Sequence, residues 1–236
     1  MEWRNLNALQ LMSQYDQIAS RYHKYMLDHA GTAEEDFIHL LGLDRKPISI
    51  FEYGCGSGRD AAYLLSQHEL ISKYVGIDNS EGMLHEFRSN VTDGRATVEL
   101  ADLDEYSFGS ATYDLIFGRF SIHYTRDIAK LMQKTHSAIN PGGFFAFRDV
   151  HPLVGLFRKK SKLYHVKEDV DFPLAGGKSD MFVTHPTFTF EEYINSASAA
   201  GFRILRVIER LGTQSKELGV DGYEIPTTVS FFLQRD

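Results

Sequence analysis

The chain has 236 residues, 43% of them hydrophobic and 24% charged, a balance that supports one large buried core and excludes a disordered chain. Its formal net charge of -7 argues against a phosphate backbone as the main partner, since such binding needs concentrated Lys and Arg. The one basic run, Arg158 to Lys162, is too short to reverse that balance. Cys55 is the single cysteine, so no internal disulfide can form. The opening MEWRNLNALQ lacks the apolar stretch of a secretory signal, and no apolar run approaches bilayer length. A cytoplasmic protein without membrane or nucleic-acid partners is expected, as a monomer or homodimer.

From Asn5 to about Gly42 the apolar residues Leu6, Leu9, Leu11, Met12, Tyr15, Ile18 and Tyr22 recur at threes and fours, which predicts helices. Thr32 with Glu35 reads as a capping box for the helix ending near Gly42. PISIFEY, from Pro47, is the first predicted strand, and DAAYLLSQ the helix beyond its glycine turn. YVGID, Tyr74 to Asp78, is a second strand and SEGMLHEFRSN its helix; ATVELA, Ala96 to Ala101, is a third and YDLIFG, Tyr113 to Gly118, a fourth. The helix TRDIAKLMQKTHSAI is ended by Asn140, Pro141, Gly142 and Gly143, and FFAFRD is the fifth strand. Such alternation implies right-handed crossovers and a parallel sheet covered on both faces.

Between Val150 and Pro186 no period is visible, and the stretch is too long for an ordinary connection, so it is expected to form a lid. A helix at FTFEEYINSASAAG opens with a second capping box, Thr189 and Glu192. FRILRVIE and TTVSFFLQ follow with no helix between them, which predicts an antiparallel pair. One domain accommodates all of this: a helical cap over 1–44, a cofactor-binding core over 45–149, a substrate lid over 150–187, and a final helix and strand pair over 188–236.

FEYGCGSGRD sets three glycines at every second position between strand and helix. In a parallel sheet, ligands bind beyond the carboxyl ends of the strands where strand order reverses, and bare backbone there admits a ligand close to free helix amides. A dinucleotide fingerprint would need a third glycine at position 59, where Arg59 stands. The pattern is instead Glu52-x-Gly54-x-Gly56-x-Gly58. Asp78 ends the second strand, where a carboxylate can accept both ribose hydroxyls, and Asp102 follows the third. Three acids at successive strand ends converge on one cleft and point to a nucleotide-like ligand.

On these residues the chain resembles the class I S-adenosylmethionine-dependent methyltransferases, in the small-molecule subgroup of the type 11/25 kind. The likeness is carried by EYGCGSG, by Asp78 in GIDNSEGML, by Asp102 and Leu103 in ADLD, and by FGRFSIHY after the fourth strand. It implies an α/β, Rossmann-like, doubly wound seven-stranded sheet with an antiparallel last strand, N-terminal helices and a lid insertion. It also implies S-adenosyl-L-methionine as cofactor, with S-adenosyl-L-homocysteine as product, and a small-molecule acceptor. Gly54, Cys55, Gly56 and Gly58 would lie against the methionine part, with Glu52, commonly Asp in relatives, just before them. Asp78 would hold the ribose, Asn79 and Met83 would flank the adenine, and Asp102 would accept its amino group beside the Leu103 amide. Backbone around Gly118, Arg119 and Phe120 would face the cofactor's amino group, and Tyr15 and Tyr22 would close over it.

Methyl transfer from a sulfonium is an in-line displacement that needs alignment and a dry pocket; holding the reactants in line contributes roughly 7–11 kcal/mol in favourable cases. A protein base is required only for a hydroxyl or a protonated amine. The candidates are His123, Tyr124, His151 and His185, and for His123 a structural role in the pocket is the reading preferred over general base. Cys55 reads as a small filler and not a nucleophile. No metal site is expected, because the fourth strand ends in Gly118 and Arg119 without a carboxylate and no His or Cys pair has zinc-ligand spacing. The alternatives are a non-catalytic module that binds the cofactor and an NAD-dependent oxidoreductase, the latter opposed by Arg59 and by the terminal strand pair.

Overall fold

The computed structural model describes residues 15–16, 18–24, 37–43, 45–174, 181–211 and 224–236. The predicted pattern from Asn5 to Met12 and the Thr32–Glu35 capping box lie outside the described residues. Helical backbone covers 15–16 and 18–24, named α1 here, and α2 is Phe37–Leu40. The alternating core runs β1 (Ile48–Tyr53), α3 (Arg59–Gln67), β2 (Ile71–Asp78), α4 (Glu81–Asn90), β3 (Ala96–Leu100), β4 (Tyr113–Arg119), α5 (Ile128–Ser137) and β5 (Ile139–Val150). Then come α6 (Pro152–Arg158), β6 (Asp169–Pro173), β7 (Phe182–Pro186), α7 (Phe190–Ala199), β8 (Phe202–Arg210) and β9 (Thr228–Arg235).

Seven strands form one sheet in the order β3-β2-β1-β4-β5-β9-β8. β1 to β5 pair in parallel, while β9 runs antiparallel to both β5 and β8, as the paired terminal runs predicted. Strand order reverses between β1 and β4, so the crevice expected to take a ligand opens beyond Tyr53 and Arg119. The sheet is covered on both faces, which explains why its central strands read as nearly unbroken apolar runs. Ile48 and Ile50 pack with Phe37 and Ile38 of α2, Leu64 of α3 and Phe87 of α4. Phe51 and Tyr53, one residue out of phase, pack with Leu131 and Met132 of α5 and Tyr193 and Ala197 of α7.

Side-chain caps set where the helices begin. Ser80 accepts from the Met83 amide at the start of α4, and Asp127 accepts from the Lys130 amide at the start of α5. The Thr189–Glu192 capping box forms in full at α7. Two local expectations change. Asn140 to Gly143 does not stand outside the fifth strand: β5 continues from Ile139, and the register with β4 jumps from Tyr113–Ile139 to Leu115–Phe144. The extra residues bulge out, with Gly142 at φ 77, so the turn-forming composition makes a strand irregularity. The aperiodic stretch after Val150 also has regular structure, α6 and the antiparallel hairpin β6–β7, which forms a separate two-stranded sheet. No described helix is long and apolar enough to cross a membrane.

Candidate functional site

At the end of β1 the chain turns through three left-handed glycines, Gly54 at φ 64, Gly56 at φ 52 and Gly58 at φ 81. Gly54 is needed for contact: a Cβ there would lie 2.5 Å from the Ser121 Cβ. Ser121 in turn donates to the Tyr53 carbonyl at 2.7 Å, which seats the loop after β4 on the glycine turn. Gly56 differs, because a Cβ there meets nothing within 4 Å. The backbone is bare at Gly56 and the space above it is open, a cradle at the mouth of the crevice.

Asp78, at the tip of β2, faces this cradle. Its Oδ2 accepts the Gly56 amide at 2.9 Å and its Oδ1 the Ser80 amide at 2.9 Å. Burial pushes its carboxyl up to about 6, although the Ser80 and Gly56 amides pull the other way. Asn79 is half-buried beside it and Met83 is buried in the first turn of α4. Asp102, beyond β3, accepts the Asp104 amide at 2.8 Å, and the Leu103 carbonyl accepts from Lys134. Cys55 is a filler: it is buried, burial pushes its thiol up, and its Sγ lies 2.9 Å from where a Cβ on Gly76 would stand.

Glu52 points below the turn. It is buried and accepts from the Tyr74 hydroxyl, and burial, then the charge of Asp60, pushes its carboxyl well up against the opposing pull of Arg119. Arg119 pairs with Asp60 at 3.1 Å and stacks on Phe37 at 4.7 Å, so its side chain packs toward α2 and α3 and only its backbone borders the crevice. Phe120 follows in the left-handed region at φ 52, with 40% of its surface exposed. A non-glycine residue there costs about 1–2 kcal/mol, and its amide bond to the Arg148 carbonyl at 2.8 Å holds it in place.

Helix α1 crosses the crevice. Asp16 accepts from the Ser80 hydroxyl at 2.5 Å and the Gly82 amide at 3.0 Å, and His23 meets Ser57 of the glycine turn at 2.9 Å. Tyr15 bonds Tyr124 hydroxyl to hydroxyl at 2.8 Å, with Tyr22 edge-on at 5.9 Å.

Beyond β4 and β5 lies a second group. His123 Nδ1 is hydrogen-bonded to Asp149 Oδ1, and both residues are buried. The His185 ring, brought by β7, lies 4.2 Å from the His123 ring, and the Tyr124 ring lies 4.4 Å from it on another side. His185 Nδ1 faces the Pro186 carbonyl at 2.9 Å, while its Nε2 and Asp149 Oδ2 are buried without a hydrogen-bond partner. Burial holds His185 well below the usual imidazole range, and His123 and Arg158 act the same way. His151 is fully engaged: Nδ1 accepts the Leu153 amide at 3.1 Å, capping α6, and Nε2 bonds Glu209 at 2.7 Å.

Residues 50–143 match the family described as the methyltransferase domain. Over that stretch, less than half of its length, the chain is similar to this family. Among curated proteins it is 30% identical over 99 residues to the trans-aconitate 2-methyltransferase of Variovorax paradoxus, covering 42% of this chain and 37% of that one. It is 27% identical over 121 residues to a mitochondrial arginine hydroxylase of Homo sapiens, covering 51% and 33%. The alignments thus span about a third of these relatives' own length. Among solved structures, an S-adenosylmethionine-dependent methyltransferase from Mesorhizobium loti superposes with a TM-score of 0.67 at 24% identity, over 87% of this chain and 100% of that one. That likeness shows the fold.

The predicted residues separate into groups. Gly54, Cys55, Gly56, Gly58, Asp78, Asn79 and Met83 gather around the cradle, and Tyr15 and Tyr22 stand over it from α1. Asp102 and Leu103 follow β3 and are engaged by the Asp104 amide and by Lys134. The side chains of Glu52 and Arg119 turn away beneath the sheet edge. Of the four acid-base candidates, His123, Tyr124 and His185 come together, whereas His151 is tied to α6 and Glu209. Sequence reading missed Ser121, Asp16 and Asp149; a carboxylate at the end of the fifth strand was the signal for the last.

Proposed function

We propose that this chain transfers a methyl group from S-adenosylmethionine to a small-molecule acceptor by in-line displacement. The observation that carries the reading is Asp78, at the carboxyl end of β2, bridging the amide of open-faced Gly56 and the first turn of α4. The fit is chemical as well as spatial. Beyond the Gly56, Ser80 and Asn79 amides the Asp78 carboxylate keeps acceptor capacity for a ribose hydroxyl. The cradle at Gly56 has room for the methionine part, Asn79 and Met83 would flank the adenine, and Asp102 with the Leu103 amide would meet its edge. Backbone at Gly118 to Phe120 would face the cofactor's amino group.

When bound, S-adenosylmethionine supplies an electrophilic methyl on a sulfonium. The protein's part is to bind, align and exclude water. α1 would cover the cofactor through Tyr15 and Tyr22, and residues 150–187 would form the lid on the acceptor side, with His185 on its inner face. The relatives' names support methyl transfer onto small molecules, the trans-aconitate enzyme being one case. Calorimetric titration with S-adenosylmethionine and S-adenosylhomocysteine, with NAD as control, tests the reading. Saturable binding of both sulfur compounds and none of NAD is the expected result; failure of both to bind the native protein would overturn it.

A further inference from the structure

Lys134 of α5 is a half-buried cation whose hydrogen bonds go to the loop that follows β3. That loop reads Asp102-Leu103-Asp104-Glu105-Tyr106, three acids in five residues. It starts beside Asp78, whose carbonyl accepts the Ala101 amide at 3.0 Å. Its far end is fixed in the core, where the Tyr106 and Phe108 rings lie 5.2 and 4.7 Å from that of Phe51. Between these ends the Lys134 ammonium donates to the Leu103 carbonyl, to that of Asp104 at 3.1 Å and to that of Tyr106 at 3.3 Å. An ammonium has three donors, and three carbonyls take them. Burial holds Lys134 below the usual lysine range, with Asp104 pulling against it most, then Asp102 and Glu105. The cation therefore sits within the field of all three acids of the loop.

Peptide planarity turns these bonds into aim. In a trans peptide the C=O of one residue and the N–H of the next point in opposite directions. Lys134 draws the Leu103 carbonyl to itself, so the Asp104 N–H points the other way, and there it meets Asp102 Oδ1 at 2.8 Å. The Tyr106 amide closes the loop on the Asp102 carbonyl at 2.9 Å. A second clamp holds the same loop from the turn before α5: the Asp104 carboxylate accepts the Thr125 hydroxyl and, at 2.8 Å, the Arg126 amide. With Oδ1 engaged, Oδ2 is the Asp102 oxygen left to accept from a ligand. We propose that Lys134 is a positioning residue for adenine recognition, acting through the Leu103–Asp104 peptide to aim the Asp102 carboxylate at the adenine 6-amino group. Asp104 supports the same aim from the β4 side. The step rests on the S-adenosylmethionine reading and deepens it, since a residue on a different helix makes an acidic loop a fixed acceptor. Without the ammonium, three carboxylates and three carbonyls would repel one another, and the loop would relax toward water.

Calorimetry with two ligands tests it: S-adenosylhomocysteine, whose 6-amino group donates, and S-inosylhomocysteine, whose 6-oxo group only accepts. The native protein is expected to favour the adenosyl compound by about tenfold or more. Lys134→Met is expected to weaken the adenosyl compound about tenfold and to leave the inosyl compound within about twofold, so that the preference collapses. In an Asp102→Ala background the same substitution should change neither. Equal weakening of both compounds, or an undiminished effect in that background, would make Lys134 structural only and overturn the proposal. Asp104→Ala, which leaves α5 intact, should narrow the preference in the same direction; an unchanged preference there overturns it even where Lys134→Met does not fold. A further readout needs no ligand. Hydrogen exchange at the Asp104 and Tyr106 amides should speed up about tenfold in Lys134→Met, and unchanged protection would refute the ordering of the loop whatever the cofactor result. Native protein that binds neither compound would instead sink the S-adenosylmethionine reading, a failure distinct from an unchanged preference in the variants.

Discussion

Cofactor affinity should depend on pH through Asp78. Its carboxyl is pushed up to about 6, chiefly by burial, and the ionised form is the one that keeps its remaining lone pairs for ribose hydroxyls while holding the Gly56 and Ser80 amides. Each pH unit below that midpoint removes about tenfold of the competent form, or about 1.4 kcal/mol. S-adenosylhomocysteine is therefore expected to bind about tenfold more weakly at pH 5 than at pH 8. Stability runs the other way. A carboxyl raised in the folded state stabilises most below its unfolded value and loses that contribution as pH rises through about 6, up to about 3 kcal/mol. Asp78→Asn removes the titration, and its amide group faces one backbone N–H with a donor, a loss of about 1–3 kcal/mol. The variant should bind more weakly at pH 8 and show no slope from pH 5 to 8. Calorimetry across that range at constant ionic strength is the assay; a flat native profile, or a slope retained in the variant, would refute the role given to Asp78.

Three further outcomes follow from the same geometry. Glu52, buried against the Tyr74 hydroxyl with its carboxyl raised, destabilises the fold as pH rises from its unfolded range; Glu52→Gln should keep the melting temperature near native at pH 5 and exceed it at pH 8. A variant that melts below the native protein at both values would contradict a raised Glu52 carboxyl. Gly54→Ala sets a Cβ 2.5 Å from Ser121 in the left-handed region, and should cost about 1–2 kcal/mol for conformation and about 1–3 for crowding. Urea unfolding reads it; Ser121→Gly by itself forfeits the bond to the Tyr53 carbonyl, so the crowding part should show as the coupling between the two substitutions in a double-mutant cycle. Tyr15→Phe removes the 2.8 Å bond to Tyr124 and should weaken S-adenosylhomocysteine binding by about three- to tenfold, with a stability change near 1 kcal/mol by thermal melting; unchanged affinity would remove α1 from the cofactor half.

The cofactor half could be read from the sequence because its determinants are local. Three glycines two residues apart, a strand ending in Asp78 and a helix starting at Ser80 are each visible within a few positions, and the sheet's order follows from their alternation. Side-chain direction was harder. Glu52 and Arg119 sit at the right strand ends, but the period of two sends their side chains beneath the edge, where Tyr74 and Asp60 hold them. The Asn140–Gly143 run misled because turn composition is also what a bulge requires. Helix α6 and the β6–β7 hairpin had no sequence signal strong enough to separate them from a loop, since α6 is seven residues long and β6 and β7 five each.

The histidine group depends on distance in the chain. His123 comes from the turn after β4, Asp149 from the end of β5 and His185 from a hairpin that packs back over both, so no window of sequence contains the constellation. Its parts are individually unremarkable: a histidine past a strand, an acid at a strand end, a histidine before a proline. Only the fold shows that the Asp149 carboxylate meets one ring and the Pro186 carbonyl the other. Tyr15 ties this half to the first. It bonds Tyr124, whose ring packs on His123, while its neighbour Asp16 caps α4 beside Asp78. Two adjacent residues of α1 thus touch the cofactor side and the acceptor side at once. A displacement of α1 would therefore break contacts to both groups at once, the bond to Tyr124 and those to Ser80 and Gly82.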